Sequence, residues 1–249
     1  MTPTLVPHHP ARDWAEIQER MLVPLYEAVY DRLGLGPGSQ VLGLGCGSGL
    51  ALLMAAARGA RVTGVDGDHA RVELARERLA AGGGHAIVEG DPAQAGDPSG
   101  PPYDVITAFH PSEGTGRELV AVTPSAQSGA AVVLAGWGPP ERCATASVLR
   151  VAARLAGGGP APRDELEEVV SRSGLRPEGS GRVSCPFGYA DTDSAVRGLL
   201  STGDFDAAIR ATEAAQVEKE ILEALDPFVR ADGTVWMPNV FRYLIARVP

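Results

Sequence analysis

Three glycines at alternate positions follow an apolar run and could form a loop that fits closely around a ligand. The segment reads Val41-Leu42-Gly43-Leu44-Gly45-Cys46-Gly47-Ser48-Gly49. Only glycine leaves room for a flat, charged ligand against the backbone and tolerates the torsions of such a turn. A second apolar run, 61–65, ends in Asp66, whose carboxylate could accept hydrogen bonds from both hydroxyls of a ribose. This spacing predicts a nucleotide-type cofactor site.

The glycine spacing excludes the fingerprint of nicotinamide dinucleotide sites. That fingerprint needs a third glycine three residues after the second, and in the three possible frames this position holds Ser48, Leu50 or Leu52. The segment instead resembles the first motif of class I S-adenosylmethionine-dependent methyltransferases of the small-molecule type, in which an apolar strand runs into Gly-x-Gly-x-Gly. The resemblance implies S-adenosyl-L-methionine as the cofactor and S-adenosyl-L-homocysteine as its product.

The resemblance also implies roles for residues that match the motifs of this family. Asp66 would bind the ribose hydroxyls, and Gly67 and Asp68 would lie against the adenine. Asp91 would contact the adenine amino group, although it could instead begin a turn before Pro92. The complete set of implied cofactor-binding residues is Gly43, Gly45, Cys46, Gly47, Gly49, Asp66, Gly67, Asp68, Asp91, Pro92 and Phe109.

Gly43 departs from the pattern of the family. Most members carry Asp or Glu two positions before the first motif glycine, near the amino group of the cofactor. The missing carboxylate leaves two alternatives open. Backbone carbonyls or another acidic residue compensate for it, or the fold has departed from methyl transfer.

Few side chains could act directly on an acceptor. His110 follows the fourth predicted strand at the edge of the sheet where ligands of open α/β sheets bind, and its ordinary pKa suits a general base; it could equally line the pocket. Trp14, Tyr26 and Tyr30 are candidates for a lid, or for core packing. Trp137 and Tyr189 are candidates for stacking on an organic acceptor.

Composition limits the class of protein. The chain has 249 residues, a net charge of −9 and a pI near 5.1, which argues against a nucleic acid partner. No apolar run approaches the ~18 residues that span a bilayer, so we expect no membrane partner and a cytoplasmic protein. Cys46, Cys143 and Cys185 are too far apart for a metal cluster, and we expect free thiols and no metal site. The oligomeric state is left open.

Apolar runs and helical patterns alternate along the chain. Strands are predicted at about 39–45, 61–65, 86–89, 103–109 and 130–136, with a further strand near 181–187 and a last one over 241–248; helices are predicted at about 48–58, from Asp68 to Gly82, and at 141–156, 163–173, 192–202 and 204–229. This pattern predicts an α/β fold. The resemblance implies a Rossmann-like, doubly wound, seven-stranded sheet, mostly parallel, with an antiparallel last strand.

We expect a single domain overall, with an N-terminal helical lid over residues 1–34 and a methyltransferase core over 35–249 that carries inserted helices at about 139–235. The leading hypothesis is methyl transfer to a small organic acceptor, which could be a specialised metabolite. The alternative is an enzyme of another class, such as a cyclase or isomerase, that retains the cofactor. A third hypothesis, a binding or scaffolding protein, does not explain why the loop glycines and Asp66 are present.

Overall fold

A seven-stranded sheet forms the centre of the molecule. The computed structural model describes residues 10–95, 100–112, 114–158 and 166–249. The strands of the main sheet are β1 (Gln40–Leu44), β2 (Arg61–Asp66), β3 (Ala86–Glu89), β4 (Tyr103–Ala108), β5 (Ala126–Trp137), β6 (Arg176–Ser184) and β9 (Val240–Arg247). Two short strands, β7 (Phe187–Tyr189) and β8 (Val235–Met237), pair separately.

The strand order confirms the predicted fold class. In the main sheet the order is β3-β2-β1-β4-β5-β9-β6. The first five strands are parallel to their neighbours, whereas β9 runs antiparallel between β5 and β6. Because β1 pairs with both β2 and β4, the chain reverses its winding direction there. In doubly wound sheets a ligand binds at this point, beyond the carboxyl ends of the strands.

Helices cover both faces of the sheet. They are α1 (Pro10–Asp13), α2 (Val23–Leu33), α3 (Leu50–Ala57), α4 (His69–Leu79), α5 (Thr115–Val122), α6 (Thr145–Leu155), α7 (Leu166–Arg172), α8 (Thr192–Leu200), α9 (Asp206–Ala211) and α10 (Ala214–Leu225). None of the helices in the described ranges has the length and apolar character needed to cross a bilayer.

The central strands contribute to a separate apolar core on each face. Val41 and Val133 belong to one cluster with α2, while their chain neighbours Leu42 and Leu134 belong to the other with α5. Successive side chains of a strand point to opposite faces, and both faces are buried here. This explains why these strands are almost continuously apolar.

The N-terminal segment consists of four short helical pieces in succession. α1 continues into a π-helical turn, Trp14–Gln18, and a 3-10 turn, Glu19–Leu22, before α2 begins. Pro24 lies in the first turn of α2, where its missing amide proton breaks no helical bond. Pro24 therefore stands where a new helix begins.

The structure differs from the predicted elements mainly after residue 170. The helix predicted over 204–229 is divided between α9 and α10, because Thr212 leaves the helical region with φ −129° and ψ −122°. The strand predicted near 181–187 is two strands, β6 and β7. Residues 163–165 of the helix predicted over 163–173 lie outside the described residues.

Candidate cofactor and acceptor site

The glycine loop between β1 and α3 has the open backbone expected of a ligand loop. Gly45, Gly47 and Gly49 have φ values of 59°, 56° and 80°, a region that side chains disfavour. A Cβ atom at Gly45 would meet nothing within 4 Å, whereas one at Gly49 would lie 2.9 Å from the Cβ of Ala75 in α4. Gly45 therefore leaves space for a ligand, and Gly49 permits close packing on α4.

Asp66 holds the loop from the end of β2. One carboxylate oxygen accepts a hydrogen bond from the amide of Gly47 at 2.8 Å, and the other accepts one from the amide of Asp68 at 2.9 Å. The side chain is buried. Each carboxylate oxygen has a second lone pair, so Asp66 can order the loop and still accept hydrogen bonds from a ligand.

The other residues implied at the adenosine end lie at the edge of the sheet. Gly67 and Asp68 are exposed, and Asp68 also caps α4 by accepting from the amide of Arg71. One oxygen of Asp91 accepts from the amide of Ala93 at the 3-10 turn that begins with Pro92. The turn role of Asp91 is thus visible, and its contact with adenine stays a prediction.

Glu19 reaches the glycine loop from the N-terminal segment, and sequence reasoning missed it. The residue is only 2% exposed. Its Oε2 accepts hydrogen bonds from the Ser48 hydroxyl and from Arg78 of α4, both at 2.5 Å. Its Oε1 accepts from the amide of Leu50 at 3.3 Å. A buried carboxylate is therefore fixed against the loop by a neighbouring cation and two neutral donors.

Glu19 and Gly43 line the same small cavity. This cavity of about 10 Å³ is enclosed by Glu19, Tyr26, Gly43, Leu44, Gly45, Cys46, Ala51, Leu52, Thr107, Phe109 and His110. It has room for about one water molecule. Burial and the nearby carboxylates of Asp66 and Glu19 raise the pKa of the Cys46 thiol to about 12, so the thiol stays protonated beside the loop.

Trp14 covers the middle of the loop. Its indole nitrogen lies 3.0 Å from where a Cβ atom of Gly47 would be, and within the described residues it has no hydrogen-bond partner. The guanidinium of Arg71 lies over the indole at 4.9 Å, and the ring of His110 meets it edge-on at 4.8 Å. The N-terminal segment therefore closes over the loop through an aromatic contact.

A much larger cavity begins next to His110. Its volume is about 640 Å³, and drug-sized ligands occupy pockets of about 300–1,000 Å³. Aromatic residues contribute much of its wall, namely Trp14, Phe109, Trp137, Phe187 and Phe241. Trp137 packs at 4.5 Å from Phe241 and 5.7 Å from Phe187, measured between ring centroids. This wall suits a flat, largely apolar molecule.

His110 lies where the two cavities meet. Although the residue is exposed, the protein around the ring removes much of the water that would solvate an imidazolium, and together with the positive charge of Arg71 this lowers its pKa to about 4. His110 is therefore neutral near pH 7. Its Nε2 lies 3.4 Å from the hydroxyl of Tyr26, whose pKa is raised by burial.

The remaining lid and stacking candidates occupy different positions. Tyr26 lines the small cavity and packs on Phe109 at 4.7 Å. Tyr30 is completely buried and lies outside the walls of both cavities. Its hydroxyl donates to the carbonyl of Ala51. Tyr189 also lies outside these walls, but its hydroxyl donates at 2.9 Å to Gln18, which lines the larger cavity.

The sequence contained a partial signal for the residues that were missed. Gln18 is four residues after Trp14 and four before Leu22, so it lies on the apolar stripe of a helical pattern. A polar residue on such a stripe indicates a buried hydrogen bond. Glu19 and Arg78 carry no comparable signal, because their pairing joins segments that are 59 positions apart.

The comparisons with known proteins agree with this geometry. Residues 41–123 match the sequence profile of a family described as "Methyltransferase domain". No curated protein sequence matches the chain. The matched range includes the glycine loop, Asp66 and His110.

Solved structures of similar fold cover almost the whole chain. The YjhP protein of Escherichia coli is 21% identical with a TM-score of 0.59, over 95% of this chain and 98% of that one. An S-adenosylmethionine-dependent methyltransferase of Geobacter sulfurreducens, in complex with S-adenosyl-L-homocysteine, is 20% identical with a TM-score of 0.52, over 97% and 94%. The (4+2)-cyclase SpnF is 15% identical with a TM-score of 0.54, over 90% and 80%.

The fold and the profile match agree with each other. The chain has the fold of class I S-adenosylmethionine-dependent methyltransferases, and residues 41–123 match the methyltransferase domain family. The predicted resemblance is therefore confirmed.

Proposed function

We propose that this protein transfers the methyl group of S-adenosyl-L-methionine to a small organic acceptor. One observation carries the proposal: the glycine loop, held by Asp66, lies beside a cavity of about 640 Å³ with aromatic walls, and His110 lines the boundary. A cofactor loop and an acceptor pocket that share a boundary are what a direct transfer between two bound molecules requires.

The residues of the loop fit this cofactor. Gly45 leaves its Cβ space open, Asp66 has lone pairs available for a ribose, and the donors and acceptors around them suit a polar nucleoside. When bound, the cofactor supplies an electrophilic methyl group on a sulfonium. The small cavity holds only about one water molecule, so binding requires Trp14 to move away from Gly47.

The protein itself contributes positioning and exclusion of water. Trp137 and Phe241 would hold a flat acceptor against the side of the cavity, and the N-terminal segment would close over it as a lid. His110 is neutral near pH 7 and could take a proton from an oxygen or nitrogen acceptor, although its low pKa makes it a weak base. We assign the lid to residues 1–34, of which 1–9 lie outside the described residues, and the transferase core to residues 35–249, of which 96–99, 113 and 159–165 lie outside them.

A small acceptor suits the charge and shape of this protein better than a nucleic acid. The net charge of −9 repels a polyanion. The walls of the larger cavity are mainly apolar and aromatic, with Arg71, Asp204 and Arg242 among the charged residues. A compact organic molecule with a flat apolar part matches these walls.

The proposal is tested by calorimetric titration with S-adenosyl-L-homocysteine. Asp66→Ala removes the ribose ligand and leaves the amides of Gly47 and Asp68 without their acceptor, and we expect it to weaken binding about 100-fold or more. Asp191→Ala is the control, because Asp191 likewise accepts a hydrogen bond from a backbone amide, that of Ser194, but lies outside the walls of both cavities. Failure of the wild-type protein to bind would refute the proposal.

A cyclase or isomerase that retains the cofactor is the second candidate. Two observations favour it: position 43 lacks the carboxylate usual in the methyltransferases that the chain resembles, and the low pKa of His110 makes it a weak base for taking a proton from an acceptor. Equimolar formation of S-adenosyl-L-homocysteine and methylated product would exclude it. Conversion of a substrate without S-adenosyl-L-homocysteine would support it over methyl transfer.

A further inference from the structure

We infer that Glu19 replaces the acidic residue missing at Gly43 and binds the amino group of the cofactor. This inference rests on the proposed function, and it assigns a binding role to a side chain outside the methyltransferase motif. Glu19 and Gly43 line one cavity, and Glu19 belongs to the N-terminal segment rather than to β1.

A carboxylate at position 43 would crowd the side chain of Leu52. A Cβ atom on Gly43 would lie 3.0 Å from a methyl group of Leu52, and one on its strand partner Gly64 would overlap the other methyl group. Leu52 is completely enclosed, with 1% of its surface exposed. The two glycines and Leu52 therefore form one packed unit that disfavours an acidic side chain at position 43 of β1.

Glu19 has the burial, charge and free acceptor capacity that the role requires. Its Oε2 accepts from Ser48 and Arg78, whereas within the described part of the chain Oε1 accepts a single, long hydrogen bond, from the amide of Leu50. Oε1 lies 3.4 Å from where a Cβ atom of Gly47 would be, so the oxygen lies close to the loop backbone. A carboxylate oxygen can accept more than one hydrogen bond, and the cofactor's ammonium group is a donor.

The bonds of Glu19 keep it in place while Trp14 moves. Ser48 belongs to the loop and Arg78 to α4, so Glu19 is attached to the core independently of the indole contact. Arg78 is partly exposed, at 24%, and it partly neutralises the carboxylate. The positive charge of an ammonium group would add to that of Arg78 without displacing it from Oε2.

The test compares two probes on three variants by calorimetry. S-adenosyl-L-homocysteine carries the amino group, whereas methylthioadenosine has the same nucleoside and sulfur without it. We expect Glu19→Gln to weaken S-adenosyl-L-homocysteine binding about 10- to 100-fold and to leave methylthioadenosine binding unchanged. Asp13→Asn is the matched control, because Asp13 is an equally buried carboxylate of the same segment that pairs with Arg197; it should leave the ratio of the two affinities unchanged.

Arg78→Gln should change the affinity ratio of the two probes in the direction opposite to Glu19→Gln. It therefore also tests the inference if Glu19→Gln does not fold. Removal of the cation leaves Glu19 more negative, so S-adenosyl-L-homocysteine should gain affinity relative to methylthioadenosine. Equal weakening of both probes by Glu19→Gln, no weakening of either, or the same selective loss in Asp13→Asn would overturn the inference while leaving the proposed function intact. If the wild-type protein binds neither probe, the proposed function fails as well.

Discussion

At the scale of single residues, the site depends on charges that lie close together on different elements. Glu19 and Asp66 place two buried carboxylates around the glycine loop, and Arg78 and Arg71 from α4 face them and His110. Burial strengthens such interactions because little water screens them. Removal of one of these charges should therefore change the pKa of a neighbouring group by a measurable amount.

The pKa of His110 is expected to depend on Arg71. Arg71→Ala removes the positive charge that contributes to lowering the pKa, so the pKa should rise from about 4 towards the ordinary value of about 6.5 without reaching it, since desolvation persists. Titration of the imidazole by NMR measures this change. Arg76→Ala, which removes an exposed arginine of the same helix, should leave the pKa unchanged; an unchanged pKa in Arg71→Ala would contradict the assignment.

At the scale of elements, the packing of α4 constrains the glycine loop. The φ of Gly49 is 80°, and Ala75 occupies the space where its Cβ atom would be. Position 49 therefore requires glycine for two reasons, the positive φ of the loop and the close packing of α4 behind it. The spacing of glycines in the sequence does not show which of the two reasons applies.

Gly49→Ala should destabilise the protein more than Gly84→Ala. Gly84 has a similar φ of 85° but open space around its Cβ position, so it isolates the cost of the backbone conformation, about 1–2 kcal/mol. In Gly49→Ala the clash with Ala75 should lower the free energy of unfolding by about 1–3 kcal/mol more than the backbone conformation alone does. Urea denaturation measures both. Equal losses of unfolding free energy in the two variants would mean that α4 shifts to accommodate the new methyl group without a measurable cost.

Much of the fold could be predicted from the sequence, whereas part of the site could not. Near-continuous apolar runs with glycine turns predicted β1, β2, β4 and β9, because these strands are buried on both faces. β8 was missed, since it has only three residues and pairs with β7 outside the main sheet. The position of Glu19 depends on packing between distant segments, which hydrophobic periodicity does not record.

At the scale of the whole molecule, the two faces of the sheet serve different purposes. Leu25 of α2 lies in the core cluster that also contains Trp14, Tyr26 and Phe109. Leu119 of α5 lies in the cluster on the other face, among α7 and the central strands. Only the first cluster is continuous with the segment that covers the glycine loop.

Substitution in the two clusters should separate stability from binding. Leu25 and Leu119 are both completely buried, so Leu25→Ala and Leu119→Ala should each lower the free energy of unfolding by about 2–5 kcal/mol. Of the two, Leu25→Ala alone should also change the affinity for S-adenosyl-L-homocysteine, because Leu25 belongs to the cluster that contains Trp14 and Tyr26. Thermal unfolding and calorimetry on the same samples check this; equal affinities in both variants would show that the lid does not depend on that core.

The π-helical turn over Trp14–Gln18 sets the angle around the helix axis between the side chains of Trp14 and Glu19. In a regular α-helix, side chains five residues apart point about 140° away from each other. Here the amide of Glu19 bonds to the carbonyl of Trp14, and this wider turn brings the two side chains onto one side, so that both approach Gly47. Deletion of the exposed Glu16 would leave the two residues four positions apart in a regular α-helix, where their side chains lie about 40° apart and still face the loop. The π-helical turn thus accommodates one extra residue of chain length while it keeps an aromatic cover beside a buried acid.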